Sequence, residues 1–533
     1  MFSKSLVRRW FYISIIVLAI FTRFIKLDWG NGYYFQPDEN NMASALSQLS
    51  TTSLNPHFFA YGQFPLYLGF IALRIVNLPN TFTNSIIALR FISAIYSLLF
   101  LLFFHKLAKL LFPKYSTAPL ILLLISSPGL IQIAHFGTTE ALLCLIFTIN
   151  IYFSLKIIKQ PKFIYFVLIG LVTGVGFASK ISSLVFFAPL IFSSLFIFFK
   201  SPHKPLLFFG SLFSLVISLV FGILLSPYNL IEYSNFVSAM KYETTVAIGA
   251  TPVFYTNQFL DTPSYLFQLV KVFPYTSGML IYFFGFVGLS LLFIKFRHQT
   301  VFQKKSWLVI ILSVILYFGY FGQLYVKWTR FMSPIFFIFP LLTAFFYYTL
   351  KNKILKNLLL FLLVFTNLYF LKLYLVPDIR VEATNWFSEN LPENTPILSE
   401  AGNVVNLPFG PKPLDVFNFD FYNLDNNPSL PSELIRQLEK SEYILIPSRR
   451  IFKNQTGRNF PVSTRYYQLL ASGDLGFTQI KTFSRQYELF LNSENAEETW
   501  SVFDQPTIRL FQKTTPHTVE EYTKMLIPDN QNS

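Results

Sequence analysis

The chain has 533 residues, of which 53% are hydrophobic, 19% aromatic and only 13% charged. A soluble domain carries about 25% charged residues, so the composition excludes an ordinary soluble enzyme and points to a membrane protein. The net charge of +15 does not argue for nucleic acid, because residues 1–377 hold 28 basic and 7 acidic side chains while 378–533 hold 14 and 20; the excess belongs to the apolar part, where basic loops lie against anionic lipid.

Apolar runs near the roughly 20 residues that cross a bilayer predict eleven spans, near 10–25, 85–104, 117–136, 141–157, 163–179, 182–199, 205–225, 273–294, 306–325, 331–349 and 357–375. Basic residues collect at every second gap. Lys4, Arg8 and Arg9 precede the first span; Lys106, Lys109 and Lys114, then Lys156, Lys159 and Lys162, then Lys200 and Lys204 follow; Lys295, Arg297, Lys304 and Lys305, and finally Lys351, Lys353 and Lys356 complete the series. Short basic loops stay in the cytoplasm. The N-terminus is therefore expected inside and everything after about residue 376 outside, in a multi-pass protein of the cell membrane. No small-residue cleavage site follows the first apolar core, so a retained anchor is expected there.

The first external loop, 27–84, contains "GYYFQPDENN". Its Pro37, Asp38 and Glu39 suit a helix start, with proline early and acids in the first turn. That alone would explain them. However, they stand at a membrane surface and are followed by "HFFAYGQFPLYLGF", whose aromatics, Tyr61 among them, suit a segment lying along the interface. Arg90 falls inside the second span, where a charge costs roughly 2.5–3.5 kcal/mol near the bilayer centre. It is expected to be paired, with Glu140 or a ligand phosphate as the candidates. The seven acids of the membrane part, Asp28, Asp38, Glu39, Glu140, Glu232, Glu243 and Asp261, all fall on the external side, which marks that face as the working one; the plainer account is that short cytoplasmic loops lack acids.

Other positions carry two readings each. Lys180, Lys327 and Arg330 lie at external span ends, where they can meet a ligand anion or snorkel to headgroups, and Trp328 between the last two suits interfacial anchoring. His135 lies near Glu140, but the six histidines show no ligand spacing, so no metal site is expected. The single cysteine, Cys144, excludes an intrachain disulfide. A second external segment, 226–272, is too long for a simple turn, and long ordered loops usually have a function. Beyond "LVPDIRVEATNW" the tail, 377–533, alternates helical stretches such as "PSELIRQLEK" and "STRYYQLLAS" with strands such as "YILIP" and "PTIRLF", as a small α/β unit does. It has no Gly-rich phosphate loop and no D-x-D pair.

The order of these features resembles the integral-membrane glycosyltransferases of family 39 type, in the GT-C superfamily, which include protein O-mannosyltransferases and aminoarabinose transferases. The family's acidic element in the first external loop is matched by Pro37, Asp38 and Glu39, and its aromatic–proline element by "YGQFPLYL". A second acidic position after a Ser-Pro turn is matched by "SSPGLIQIAHFGTTE", with Glu140 where Asp is common. "GVGFASKISSL", containing Lys180, resembles the family's Gly-rich turn, "SPYNL" a later turn, and "VKWTRFMSPIF" the late basic element. The resemblance covers about residues 8–345, and the tail is similar, more weakly, to external domains of some bacterial members.

The resemblance implies a mainly α, polytopic GT-C fold of about eleven transmembrane helices in 1–376, with an extracytoplasmic α/β domain in 377–533. It implies transfer of a sugar from a polyprenyl-phosphate donor to a protein, lipid or polysaccharide acceptor by inverting displacement, with no cofactor; a divalent metal is not implied. Asp38 would be the base. Glu39, Tyr61, Arg90, Glu140, Lys180, Lys327 and Arg330 would bind substrate, the cations meeting the phosphate. Two other classes fit many spans: a lipid or sugar transporter or flippase, for which an inverted repeat is expected and none is detected, and a non-catalytic scaffold binding envelope polymers, for which eleven spans are excessive.

Overall fold

In the computed structural model, the described residues are 4–400, 406–409 and 412–527, with side chains from residue 9 onward. The side chains of Lys4 and Arg8 lie outside them. A helix or a bent pair of helices occupies each of the eleven predicted places. Those leading to the site are Lys4–Phe24 (α1), Pro37–Ser47 (α2), Phe64–Ile75 (α3), Phe82–Leu111 (α4), Ala118–Ser126 (α5), Pro128–His135 (α6), Glu140–Lys159 (α7), Phe163–Phe177 (α8), Ala188–Phe198 (α9) and Lys204–Leu225 (α10). Tyr228–Ile231 (α11) and Tyr233–Ala247 (α12) follow in the long loop.

Among the described residues, seven helices are long and apolar enough to cross a membrane, or nine if each of two bent pairs counts as one span. The expected eleven is therefore not reached on length and composition. Helix α8 has only 15 residues, and α1 carries four basic residues in its 21. The bends have identifiable causes. Between α5 and α6 the axis turns by 60° at Ser127 and Pro128; a proline lacks the N–H that would continue the helix. The carbonyls freed by that break are taken up by a buried arginine, since Arg23 Nη1 donates to Ile125 O at 2.6 Å and Nη2 to Leu124 O at 3.1 Å. In an apolar setting such groups must be satisfied internally.

Small residues let neighbouring helices approach. A Cβ at Gly170 of α8 would lie 2.7 Å from Ser214 O of α10, and one at Gly210 of α10 would lie 2.8 Å from the Phe166 ring of α8. Such stripes are typical of helix pairs in lipid, where packing rather than water exclusion drives association. The outward faces are apolar: Ile16 and Val17, Phe208 and Leu224, Phe293 and Ile294, and Phe361 and Phe365 are all exposed. Exposed apolar bands of this size mark a membrane surface.

The tail forms a five-stranded sheet in the order β2-β1-β3-β5-β4, built from Pro396–Glu400 (β1), Asp415–Phe419 (β2), Tyr443–Ile446 (β3), Phe477–Phe483 (β4) and Ile508–Lys513 (β5). β1 runs parallel to β2 and β3, whereas β5 runs antiparallel to β3 and β4. Helices Leu430–Lys440 and Pro461–Ser472 bury Leu434, Leu438, Tyr466 and Leu470 in one core with Ile444 and Phe511.

Candidate active site

Gln36 caps α2: its side-chain oxygen accepts from Glu39 N at 2.6 Å, and Pro37 occupies the first turn. The helix-start reading of the acidic pair is therefore realised. One consequence is that consecutive carboxylates point to different surroundings.

Glu39 is fully buried and takes both forks of Arg90, Nε on Oε1 and Nη2 on Oε2, each at 2.7 Å. Gly137 N also donates to Oε1 at 2.7 Å. Arg90, equally buried, spends Nη1 on the carbonyls of Leu27 and Trp29 at 2.8 and 3.0 Å, and its Cζ lies 4.4 Å from the Trp29 ring. This pair joins the first loop, α4 and the turn before α7. Two expectations are corrected here. Arg90 pairs with Glu39 rather than with Glu140 or a ligand phosphate, and neither Arg90 nor Glu39 lines the cavity where substrate would sit. A buried ion pair whose groups are spent on each other and on backbone atoms is set up to hold the structure rather than a ligand.

Asp38 faces a cavity of about 480 Å³, within the range of small-molecule sites. Its Oδ2 accepts from Gln36 Nε2 at 3.2 Å and forms an ion pair with Arg330. Tyr61, Lys180, Arg330 and Trp328 share the same wall. Lys180 Nζ lies 5.3 Å from the Tyr61 ring and 5.2 Å from the Phe331 ring, with Glu140 Oε1 behind it at 3.6 Å. Glu140 itself is 3% exposed and outside the lining. Lys327, expected at the site, is turned away: it is 2% exposed and donates to Tyr325 O at 2.8 Å. His135 is likewise committed, both ring nitrogens lying 2.9 Å from the carbonyls of Ile131 and Ile25. Among the described residues, no group of three or more His, Cys, Asp or Glu is placed to hold a metal ion.

The loop that follows Asp38 is pinned next to Lys180. Gly62 N donates to Ser179 O at 3.0 Å and Phe64 N to Ala178 O at 3.2 Å. A side chain at Gly62 would collide with the carbonyl of Ala178, so the close backbone approach requires glycine there.

Several lining residues were not singled out from the sequence. Glu243 on α12 faces the cavity; burial raises its carboxyl above the ordinary range, opposed by Lys180. The unusual length of the 226–272 loop was the signal in the sequence that it does more than connect two spans, and it brings Glu243 to the cavity. The tail supplies Arg450, Glu497, Glu498, Thr499 and Phe503, and nothing in the sequence pairs these with residues more than 100 positions earlier. Arg450 Nε meets Glu498 Oε2 at 3.2 Å, both nearly fully buried. Glu497 accepts from Thr329 N and Thr499 N, both at 3.1 Å, and from Gln258 Nε2 at 3.1 Å. Tyr275 OH donates to Asn492 O at 2.8 Å. The segment 492–504 is thus stitched to the helical body and forms part of the cavity wall.

The same seam contains a titrating group. Asp504 accepts from Gln132 Nε2 of α6 at 2.5 Å, and burial pushes its carboxyl from 3.8 to about 8. Nearby Glu488 is raised in the same direction, to about 7. A raised folded-state value means that stability is fullest below the unfolded value and is lost as pH rises through the folded one. The seam should therefore weaken between about pH 4 and pH 8. Thermal unfolding midpoints measured across that window should fall with rising pH, and Asp504→Asn should flatten the slope. An unchanged slope in the variant would remove Asp504 from the seam's pH response.

Comparison with known proteins agrees with this architecture. Residues 71–227 match the family model described as dolichyl-phosphate-mannose-protein mannosyltransferase, a stretch that contains Arg90, Glu140 and Lys180. No curated protein matches the chain in a sequence search. Among solved structures, the oligosaccharyltransferase AglB from Archaeoglobus fulgidus, in complex with an inhibitory peptide and a dolichol-phosphate, aligns with 86% of this chain and 72% of its own, at 12% identity and a TM-score of 0.51. The chain has the GT-C fold. ArnT from Cupriavidus metallidurans bound to undecaprenyl phosphate aligns over 95% of this chain and 98% of its own, at 12% identity and a TM-score of 0.48. The family match, over its 71–227 stretch, falls inside the region where the motifs resemble family 39.

Proposed function

We propose that the protein is a membrane glycosyltransferase that moves a sugar from a polyprenyl-phosphate donor to an acceptor hydroxyl outside the cytoplasm. The observation that carries this reading is one cavity holding a carboxylate, Asp38, beside two cations, Lys180 and Arg330, in a chain of GT-C fold. An archaeal relative of that fold was solved with a dolichol-phosphate, which supports a lipid phosphate as the donor's leaving group. In this reading the N-terminus is cytoplasmic, residues 1–376 form the transferase body and residues 377–533 an external domain.

The chemistry follows from the residue types. An acceptor hydroxyl is a weak nucleophile until its proton is taken, and Asp38 is the base. The acceptor oxygen bonds to the anomeric carbon, the bond from that carbon to the phosphate oxygen breaks, and the electron pair leaves with polyprenyl phosphate. One displacement inverts the anomeric centre. The negative charge growing on the leaving phosphate is met by Lys180 and Arg330, fixed cations at the position where charge develops. Tyr61 contacts substrate alongside Lys180, Glu140 holds the Lys180 ammonium from behind, and the Glu39–Arg90 pair positions the loop that carries Asp38. Glu243, close to Lys180, and Arg450, Glu498 and Thr499 of the tail complete the cavity lining and select the acceptor.

The test is transfer of labelled sugar from a panel of polyprenyl-phosphate sugars in membranes that contain the protein. At least one donor should label an extractable acceptor, with the opposite anomeric configuration. Transfer with retention would overturn the single displacement, and no transfer from any donor would overturn the assignment.

A further inference from the structure

Arg330 stands between two anions, one present and one expected. Its guanidinium pairs with Asp38 on Oδ2, the same oxygen that Gln36 reaches at 3.2 Å. The pair is partly open to the cavity, with 21% and 19% of the two side chains exposed. Among the described residues, Arg330 Nε is buried without a hydrogen-bond partner. A buried N–H in that condition is rare and calls for a partner. The other negative charge acting on Arg330 is Glu497, whose oxygens are already committed to Thr329 N, Thr499 N and Gln258. Trp328 has its ring 4.4 Å from Arg330 Cζ, and Arg330 lines the cavity. A guanidinium is a planar fork of donors of the kind that takes phosphate through two parallel bonds.

We propose that Arg330 is a positioning residue shared between Asp38 and the donor's phosphate, so that arrival of the phosphate draws the guanidinium off Asp38 and frees the carboxylate to act as base. The inference rests on the donor reading above. Before the donor binds, the cation and the base neutralise each other at the floor of a partly apolar cavity, which keeps either charge from standing alone there. With the donor in place, the phosphate takes the fork and Asp38 is left with only the neutral amide of Gln36. The base is thereby active only when a leaving group is bound.

Competition of two anions for one cation is a coupling between sites, and it is reciprocal. Removing one anion must strengthen the other's hold. The experiment is binding of a C55 polyprenyl monophosphate in detergent to the wild type, Asp38→Asn, Arg330→Gln and the double variant, with the uncharged C55 polyprenol as control. Asp38→Asn should bind the phosphate tighter by about tenfold, within the range usual for coupled sites. In the Arg330→Gln background the same change should have less than about a twofold effect, because the shared cation is gone. Simple repulsion between Asp38 and the phosphate predicts an equal gain in both backgrounds, and that result would overturn the sharing while leaving the donor reading intact. No gain from Asp38→Asn would overturn it too. Equal binding of polyprenol and its phosphate, or no binding to the wild type, would overturn the donor reading and this inference together. If Arg330→Gln does not fold, Arg330→Lys supplies the second background: it keeps the charge without the fork, and the Asp38→Asn gain should shrink there as well.

Discussion

Replacing Arg90 by alanine is expected to destabilise the protein by about 3–5 kcal/mol, the usual cost of removing one partner of a buried ion pair. Glu39 is 0% exposed, so its charge would remain without the two 2.7 Å bonds that offset its burial. The carbonyls of Leu27 and Trp29 would lose their donor as well. Water cannot easily fill the gap, because the Trp29 ring covers the guanidinium. Glu39→Ala should cost about as much, for the mirror-image reason. The double variant Glu39→Leu/Arg90→Met should lose less than the sum of its parts, since apolar replacement of both partners leaves no buried charge behind. Unfolding midpoints in detergent measure all three. A loss below about 1 kcal/mol for Arg90→Ala, the level of a surface salt bridge, would contradict the burial on which the positioning role depends. Transfer activity should fall along with stability, because the same pair holds the turn from which Asp38 projects.

The second large effect concerns Asp38 itself. Asp38→Asn keeps the size and the contact with Gln36 but removes the proton acceptor. General-base catalysis contributes roughly 100- to 10,000-fold, and the fall should appear in kcat. Donor binding should be kept or strengthened, since on the proposed mechanism Lys180 still meets the phosphate and Arg330 is released from its pair with Asp38. A change confined to KM would identify Asp38 as a binding group instead.

Much of the fold is legible in the chain because membrane helices obey a strong local rule. Every predicted span falls on a helix, since an apolar run of that length has no other way to satisfy its backbone in lipid. Breaks and short helices are less legible. The 60° turn at Ser127 needs both Pro128 and the remote Arg23 that caps the freed carbonyls. At the site, the acidic pair was readable as a pair, but its division of labour was not. That division depends on Arg90, 51 residues away from Glu39, and on Arg330, nearly 300 residues beyond Asp38. Lys327 and Arg330 look alike in the sequence, three positions apart on either side of Trp328, yet one donates to a backbone carbonyl and the other pairs with Asp38 in the cavity. Glu497 illustrates the opposite failure: a charged residue in an unremarkable tail segment becomes part of the cavity wall through bonds to Thr329 and Gln258, contacts that no local pattern encodes.

On the proposed mechanism Asp38 takes the proton of the attacking hydroxyl in a cavity that binds a lipid phosphate. The measurement that tests it most directly is single-turnover transfer from the active polyprenyl-phosphate sugar by purified wild type and Asp38→Asn, with donor binding measured on the same samples. Transfer should be lowered by roughly 100-fold or more in the variant, with donor bound at least as tightly as by the wild type. Undiminished transfer by Asp38→Asn would contradict it.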